Sequence, residues 1–339
     1  MIRLSFVLAR MRRMIMRTPK CSPTDYHAAD YWSDAITQST QPNSVNQGDS
    51  PSLRYDMLAL DLDGTLLRSD KKLAKYDAVA IKEAMRRGVK VVIATARPPR
   101  SSKLIHQKLG LDTPLINYNG ALVYDVAQDE QVYHEPLDSK VAREIIKLAR
   151  SIEPSVVVSL EVKDKWYTDH DDPRFKTATA KRFKPDYVGS LIVPLSRPVT
   201  KLMLLFHAEQ LAPIREAIVA NFGEHAAFPE SDKTIVQVVN AKVDKGIALK
   251  RVAEQYGIDA SRVCAIGDAP NDAGMLRWAG LGLAVGNAFG EALDAANVVL
   301  DKTNNERAVG LAVERYILGD DPVAREVARA SAVDKEQSD

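Results

Sequence analysis

Cysteine is almost missing from this chain: Cys21 and Cys264 are the two in 339 residues. They fall in regions of very different character, and Cys264 sits in an apolar run that reads as a buried strand, so no disulfide framework is expected and the thiols should be reduced, in a reducing compartment. Long hydrophobic runs are missing too. Even the N-terminal stretch Ile2 to Met11 is broken by Arg3 and Arg10, and nothing approaches the roughly 20 apolar residues of a membrane-spanning helix. A soluble, cytoplasmic chain is expected. No charge of one sign dominates: 46 basic and 45 acidic side chains leave a net charge of +1, which offers no broad attraction to nucleic acid or to an acidic membrane. Acids are absent before Asp25, whereas Arg3, Arg10, Arg12, Arg13, Arg17 and Lys20 crowd that stretch. Organellar transit peptides share this composition; the alternatives are a disordered extension or a start nearer Met14 or Met16.

Residues 22 to 52 are rich in Ser, Thr, Gln, Asn, Asp and Pro and poor in branched apolar residues. Such a segment cannot repay the entropy of ordering and reads as a linker. From Leu53 onward, short apolar runs alternate with amphipathic segments that end at glycine. Strands are expected at Met57 to Leu60, Val89 to Ala94, Leu115 to Ile116, Val263 to Ile266, Leu283 to Val285 and Val298 to Leu300. Helices are expected at Asp77 to Arg87, Ser101 to Leu109 and Lys245 to Tyr256, closed by Gly88, Gly110 and Gly257, where a left-handed cap is natural. Strands alternating with helices imply an α/β core, a parallel sheet covered on both faces. The middle of the chain reads differently, with strands at Val156 to Val162, Lys201 to Phe206 and Ile235 to Val239 and helices at Ser139 to Ile152 and Glu209 to Phe222. The division expected is an extension over 1–52, a core over 53–125 and 231–319, an inserted α+β cap over 126–230, and a flexible tail over 320–339.

The chemistry concentrates at strand ends. Asp61-Leu62-Asp63-Gly64-Thr65 follows the run Met57 to Leu60, which places it at the carboxyl end of a buried strand, where ligands of open α/β sheets bind. Two carboxylates two residues apart can divide labour. One attacks phosphorus while helping to hold a magnesium ion, and the other handles protons. The plainer reading is an Asp-Gly turn with solvated acids. Thr95 ends the run before Ala96-Arg97-Pro98, so its hydroxyl and neighbouring N–H groups, with Arg97, can meet a phosphoryl oxygen; Arg97 could equally be a surface cation. Lys245, at the start of a helix, can neutralise charge on that group or be solvated. Gly267-Asp268-Ala269-Pro270-Asn271-Asp272 puts Asp268 on the same sheet edge as Asp61. Magnesium takes oxygen ligands, and no His or Cys lies in these clusters to favour zinc. Asn271 or Asp272 could also cap the following helix.

These four clusters, in this order, resemble the motifs of the haloacid-dehalogenase superfamily of phosphatases, and the large insertion resembles that of its Cof-type subgroup. Asn117-Tyr118-Asn119-Gly120-Ala121 and Gly282-Leu283-Ala284-Val285-Gly286-Asn287-Ala288 add to the likeness, which runs from about Leu53 to Leu318. It implies a Rossmann-like core with a cap. Asp61 is then the nucleophile and Asp63 the general acid and base, with Thr95 and Lys245 binding the phosphoryl group. Magnesium is held by Asp61, the Asp63 carbonyl and Asp268, with Asp272 nearby as a further metal residue and Asn271 as a further phosphate- or substrate-binding one. Gln237 stands where relatives often carry glutamate. The expected substrate is a small phosphorylated metabolite, acted on by a monomer or homodimer; a phosphomutase, or a non-catalytic metal-binding regulator, is the alternative. An ion pump of the same chemistry is excluded by the lack of spans. In the cap, Trp166, Tyr167, Phe175 and Phe183 could line a pocket, and Lys176, Lys181, Arg182 and Lys184 could meet an anion. Cap contacts are expected to rank substrates.

Overall fold

The computed structural model describes residues 53–175, 180–229 and 234–319. The basic N-terminal segment, the linker, the 320–339 tail, Lys176 and the Phe175 side chain lie outside the described residues. In chain order the strands are β1 (Met57–Leu60), β2 (Lys90–Ile93), β3 (Leu115–Asn117), β4 (Leu122–Asp125), β5 (Glu130–His134), β6 (Val157–Val162), β7 (Lys165–Thr168), β8 (Tyr187–Val188), β9 (Lys201–Leu205), β10 (Ala226–Ala227), β11 (Ile235–Asn240), β12 (Val263–Gly267), β13 (Leu281–Ala284) and β14 (Val298–Val299). The α-helices are α1 (Lys75–Arg86), α2 (Pro99–Leu109), α3 (Ser139–Ile152), α4 (Leu211–Phe222), α5 (Lys245–Gln255), α6 (Ala273–Trp278), α7 (Glu291–Ala295) and α8 (Ala308–Ala312).

Five strands form an all-parallel sheet in the order β14-β13-β12-β1-β2. Alternation along each strand sorts side chains between two apolar layers. Leu58, Leu60, Val91, Ile93, Cys264 and Ile266 enter one layer with Ile81 of α1 and Val309 of α8. Met57, Ala59, Val92, Val263 and Ala265 enter the other with Leu249 of α5 and Leu276 of α6. Helices cover both faces, as the α/β reading expected, and Gly88, Gly110 and Gly257 all take positive φ just past their helices. β3 meets the reading only in part: it bridges the parallel sheet in parallel at Ala94–Ile116 but also opens a separate, antiparallel sheet. There it pairs with β4, which pairs with β5.

The second sheet has six strands in the order β10-β11-β9-β6-β7-β8. One face is apolar: Val158, Leu160, Leu202, Leu204, Val236 and Val238 pack on Ile145 of α3 and Ile214 of α4. The alternate residues of the same strands, Ser159, Glu161, Lys201, Met203 and Gln237, share the opposite face. β11 begins only after residue 230 and pairs with β9 and β10. Among the described residues no helix is long and apolar enough to cross a membrane.

Candidate active site

Parallel strands deliver their carboxyl ends to one edge, and the four clusters meet there. Asp61 follows β1 and is buried. Gly64 then turns the chain at φ +89°, a left-handed conformation, and a Cβ there would sit 2.2 Å from Asp268 Oδ2. Glycine is needed both for the turn and for the close approach of the two loops. Thr65, buried behind it, donates to Asp268 Oδ1 at 2.6 Å.

Lys245 reaches this edge from the first turn of α5. Asp244 caps that helix, accepting from the N–H groups of Gly246 and Ile247 at 2.7 and 3.0 Å. The Lys245 side chain is completely buried, and its ammonium bridges Asp61 Oδ1 at 2.7 Å and Asp272 Oδ1 at 2.6 Å. Asp272 uses its other oxygen to accept from the N–H groups of Asp268 and Ala269 at 2.9 and 3.0 Å, so it organises its own loop while holding the lysine. Asp61 Oδ2 has no hydrogen-bond donor among the described residues.

Ligand oxygens of Asp61, Asp268 and Asp272 all lie within 4.8 Å of one another. Burial, with the charges of Asp272 and Asp268, pushes the Asp61 carboxyl well up against the pull of Lys245. Burial likewise raises Asp268 to about 6, with Asp272 adding to it and Thr65 opposing. Lys245 moves the other way: burial would lower it, but Asp272 and Asp61 hold it above the usual lysine range. Three dehydrated carboxylates with one ammonium, which bridges Asp61 and Asp272, leave an excess of negative charge. A hard cation with oxygen ligands fits that set.

Asp63 points elsewhere. Arg97 grips it with Nε at 2.6 Å and Nη2 at 2.7 Å, and Lys71 adds a bond at 2.8 Å. Burial pushes the Asp63 carboxyl up, but these partners prevail and bring it to about 2. Arg97, expected at a phosphoryl oxygen, is therefore on the second carboxylate of the Asp-x-Asp pair. Thr95 is buried; its N–H goes to Ile116 O and its Oγ1 accepts from Arg97 N at 3.2 Å, which leaves the hydroxyl proton available. Asn271 turns toward the β3–β4 loop and donates to Asn119 Oδ1 at 2.9 Å.

The sequence reading assigned no separate role to Thr65, Lys71, Asn119, Asn287 or Asn304. Asn287 donates to Gly64 O at 2.8 Å and accepts from Asn304 N, tying the late core loop to the turn after Asp61. Asn119 and Asn287 stood in the segments that carried the family likeness; Lys71 had no local signal. In the second sheet Trp166 lines a cavity of about 30 Å³ with Ser159, Thr168 and Met203. Tyr167 packs against the apolar layer instead, and Lys181, Arg182 and Lys184 are exposed.

A family model for haloacid dehalogenase-like hydrolases matches residues 58–313. The chain is 29% identical to the 5-amino-6-(5-phospho-D-ribitylamino)uracil phosphatase YitU of Bacillus subtilis, over 77% of this chain and 97% of that protein. It is 30% identical to the HMP-PP phosphatase of Cronobacter sakazakii, over 69% of this chain and 85% of that protein. The crystal structure of TM0651 from Thermotoga maritima superposes with a TM-score of 0.67 at 29% identity, covering 77% of this chain and 97% of that one.

Proposed function

Because the chain belongs to the haloacid dehalogenase-like hydrolases, we propose that it hydrolyses a small phosphorylated metabolite through a phosphoryl group carried on Asp61. It is a phosphoric monoester hydrolase with a Cof-type likeness. The observation that carries the route is the division of the Asp61 carboxylate: Lys245 takes Oδ1, and Oδ2 is left to attack. As Oδ2 bonds to phosphorus, the ester P–O bond breaks, and its electron pair leaves with the alcohol oxygen. That oxygen takes a proton from the Asp63 carboxyl. A water, giving its proton to the Asp63 carboxylate, then attacks the same phosphorus. The bond to Asp61 breaks, and inorganic phosphate departs. The six-stranded unit serves as the cap.

Magnesium is the proposed ion, held by the Asp63 carbonyl and by Asp61, Asp268 and Asp272, whose buried oxygens fit a hard cation. When bound it offsets negative charge on the phosphoryl oxygens. Excess chelator should lower turnover more than about 100-fold and added magnesium should restore it. Magnesium should also raise the melting temperature of the wild type more than that of Asp268→Asn, by mass action on the folded state. Full activity in chelator removes the metal from the proposal. A hydrolysis screen over phosphorylated metabolites, with Asp61→Asn as the blank, tests the function as a whole, and release of inorganic phosphate separates it from mutase transfer.

Asp63 poses a definite requirement. A carboxyl at about 2 is ionised at neutral pH, ready as a base but not as an acid. A guanidinium fork binds phosphoryl oxygens as readily as a carboxylate, so an arriving phosphate can draw Arg97 off Asp63 and let it take a proton. In Arg97→Met, the carbon-13 resonance of the Asp63 carboxyl should titrate above about 2, toward the ordinary aspartate value near 4. The KM for phosphomonoesters should rise roughly 10-fold, since a charged hydrogen bond is lost. An unchanged titration would show that Arg97 does not hold Asp63 down, and an unchanged KM would rule out the exchange.

A further inference from the structure

Lys201 is a buried cation whose ammonium the protein leaves poorly hydrogen-bonded. It lies on β9, on the face of the second sheet opposite α3 and α4, and is 7% exposed. An ammonium offers three donors. The acceptor it finds among the described residues is Gln237 Oε1 at 3.4 Å, a long bond to a neutral amide. Its cross-strand partner Glu161 is committed elsewhere. Arg100, from the first turn of α2, takes both Glu161 oxygens at 2.5 and 3.0 Å, and the Tyr118 hydroxyl lies 3.2 Å from one of them while pointing also at Lys163 O at 2.8 Å. Arg100 also holds Asp164 in the β6–β7 turn at 3.0 Å. Lys201 is thus the second cation in a group whose acids are already engaged. Burial first, and the Arg100 charge with it, bring Lys201 down to about 8 against the opposing effect of Glu161. Keeping such a group dehydrated costs folding free energy, which a purely structural role does not require.

Its position joins this charge to the phosphoryl chemistry. Lys201 Nζ lies 5.3 Å from the centroid of the Tyr118 ring. The next residue, Asn119, accepts from Asn271 in the loop that carries Asp268 and Asp272. We propose, on the reading of this site as a phosphatase, that Lys201 recognises an anionic oxygen, carboxylate or second phosphate, on the leaving alcohol of the substrate. It is a specificity-determining residue: Glu161 and Arg100 fix its surroundings, and the substrate supplies the close anionic acceptor that the ammonium lacks.

The test uses the full chain as wild type, Lys201→Met and Lys201→Arg. The substrates are glycerol phosphate, whose alcohol is neutral, phosphoglycolate, which carries a carboxylate, and propanediol bisphosphate, which carries a second phosphate. Lys201→Met should lower kcat/KM for at least one anionic ester about 10-fold or more and leave glycerol phosphate within about twofold, with Lys201→Arg recovering part of the loss. Which ester responds distinguishes carboxylate from phosphate. In the wild type, kcat/KM for that ester should fall above pH 8 as Lys201 loses its proton, with glycerol phosphate not following; this readout does not depend on the variant folding. Equal losses on all three esters, no loss on any, or parallel pH profiles overturn the proposal. Failure of the wild type to hydrolyse any phosphomonoester would instead overturn the phosphatase reading on which it rests.

Discussion

Asp61→Asn leaves a folded protein whose turnover is down by about 10⁴-fold or more, the scale on which removal of a nucleophile acts. Asparagine fills the same volume but offers no carboxylate to phosphorus. The fold should not suffer, because Lys245 keeps Asp272 at 2.6 Å. The sign of the stability change follows from Asp61 itself. Its folded carboxyl lies above the unfolded value, so the stability it contributes is fully present below the unfolded pKa and is lost as pH rises through the folded one. Ionising this carboxyl is harder in the folded state than in the unfolded one, and the amide removes that cost. Thermal unfolding followed by circular dichroism should therefore give a midpoint at or above that of the wild type at pH 7, with the gap narrowing toward pH 4. Near wild-type phosphate release would remove Asp61 as the phosphorylated residue; a variant unfolded at room temperature would refute the electrostatic account.

Lys245→Met should strike stability as well as rate. Met keeps the length and apolar stem but leaves Asp61 and Asp272 facing each other without their cation, Asp272 fully buried. Breaking a buried ion pair on one side costs about 3–5 kcal/mol, a large part of the roughly 5–15 kcal/mol that holds a domain together. Rate should fall by a further 10²–10³-fold or so, the usual loss when a fixed positive donor at a reacting group is removed. The pH dependence is diagnostic. Without Lys245 the Asp61 carboxyl is pushed higher still, and a group raised in the folded state stabilises at low pH and ceases to as pH rises through its folded value. The deficit in melting temperature relative to wild type should thus be smaller at pH 5 than at pH 8. An equal or larger deficit at pH 5 would show that packing, not charge, sets the cost.

Much of this frame was legible in the chain because the signals are local. Four apolar residues in a row, followed by Asp61 or Thr95 or, after Gly267, by Asp268, mark a buried strand that ends in a polar group, and strands of one parallel sheet end at one edge. The strand at Leu115 was visible, but its neighbours were not: apolar periodicity cannot say that it will bridge the end of β2 in parallel on one side and pair antiparallel with β4 on the other. β5, with the polar sequence Glu130-Gln131-Val132-Tyr133-His134, had no apolar alternation to announce it and forms through pairing with β4. The least legible features are ion pairs across the fold. Nothing around Asp63 foretells that Arg97, 34 positions on, will grip it, and nothing around Lys201 foretells that Arg100 will claim Glu161. Such pairs depend on where packing sets two distant backbones, and charge identity alone does not encode that.

The position of β1 between β2 and β12 bears on how the polypeptide acquires its shape during synthesis. β2 follows closely, but Met57 pairs with Val263 on its other side, about 200 residues later in the chain. At ~5–20 residues per second, roughly 10–40 s pass on the ribosome before that neighbour emerges. Throughout this interval the strand leading to Asp61 presents one unpaired edge, a template for mispairing with another nascent chain. The six-stranded unit lies wholly within the intervening stretch, so it can collapse on its own local contacts before the catalytic sheet closes. High contact order in the parallel sheet makes that closure the slow event, and until it happens Lys245 and Asp268 have no Asp61 loop to meet. Assembly of the reactive centre is thereby postponed to the final stage of folding.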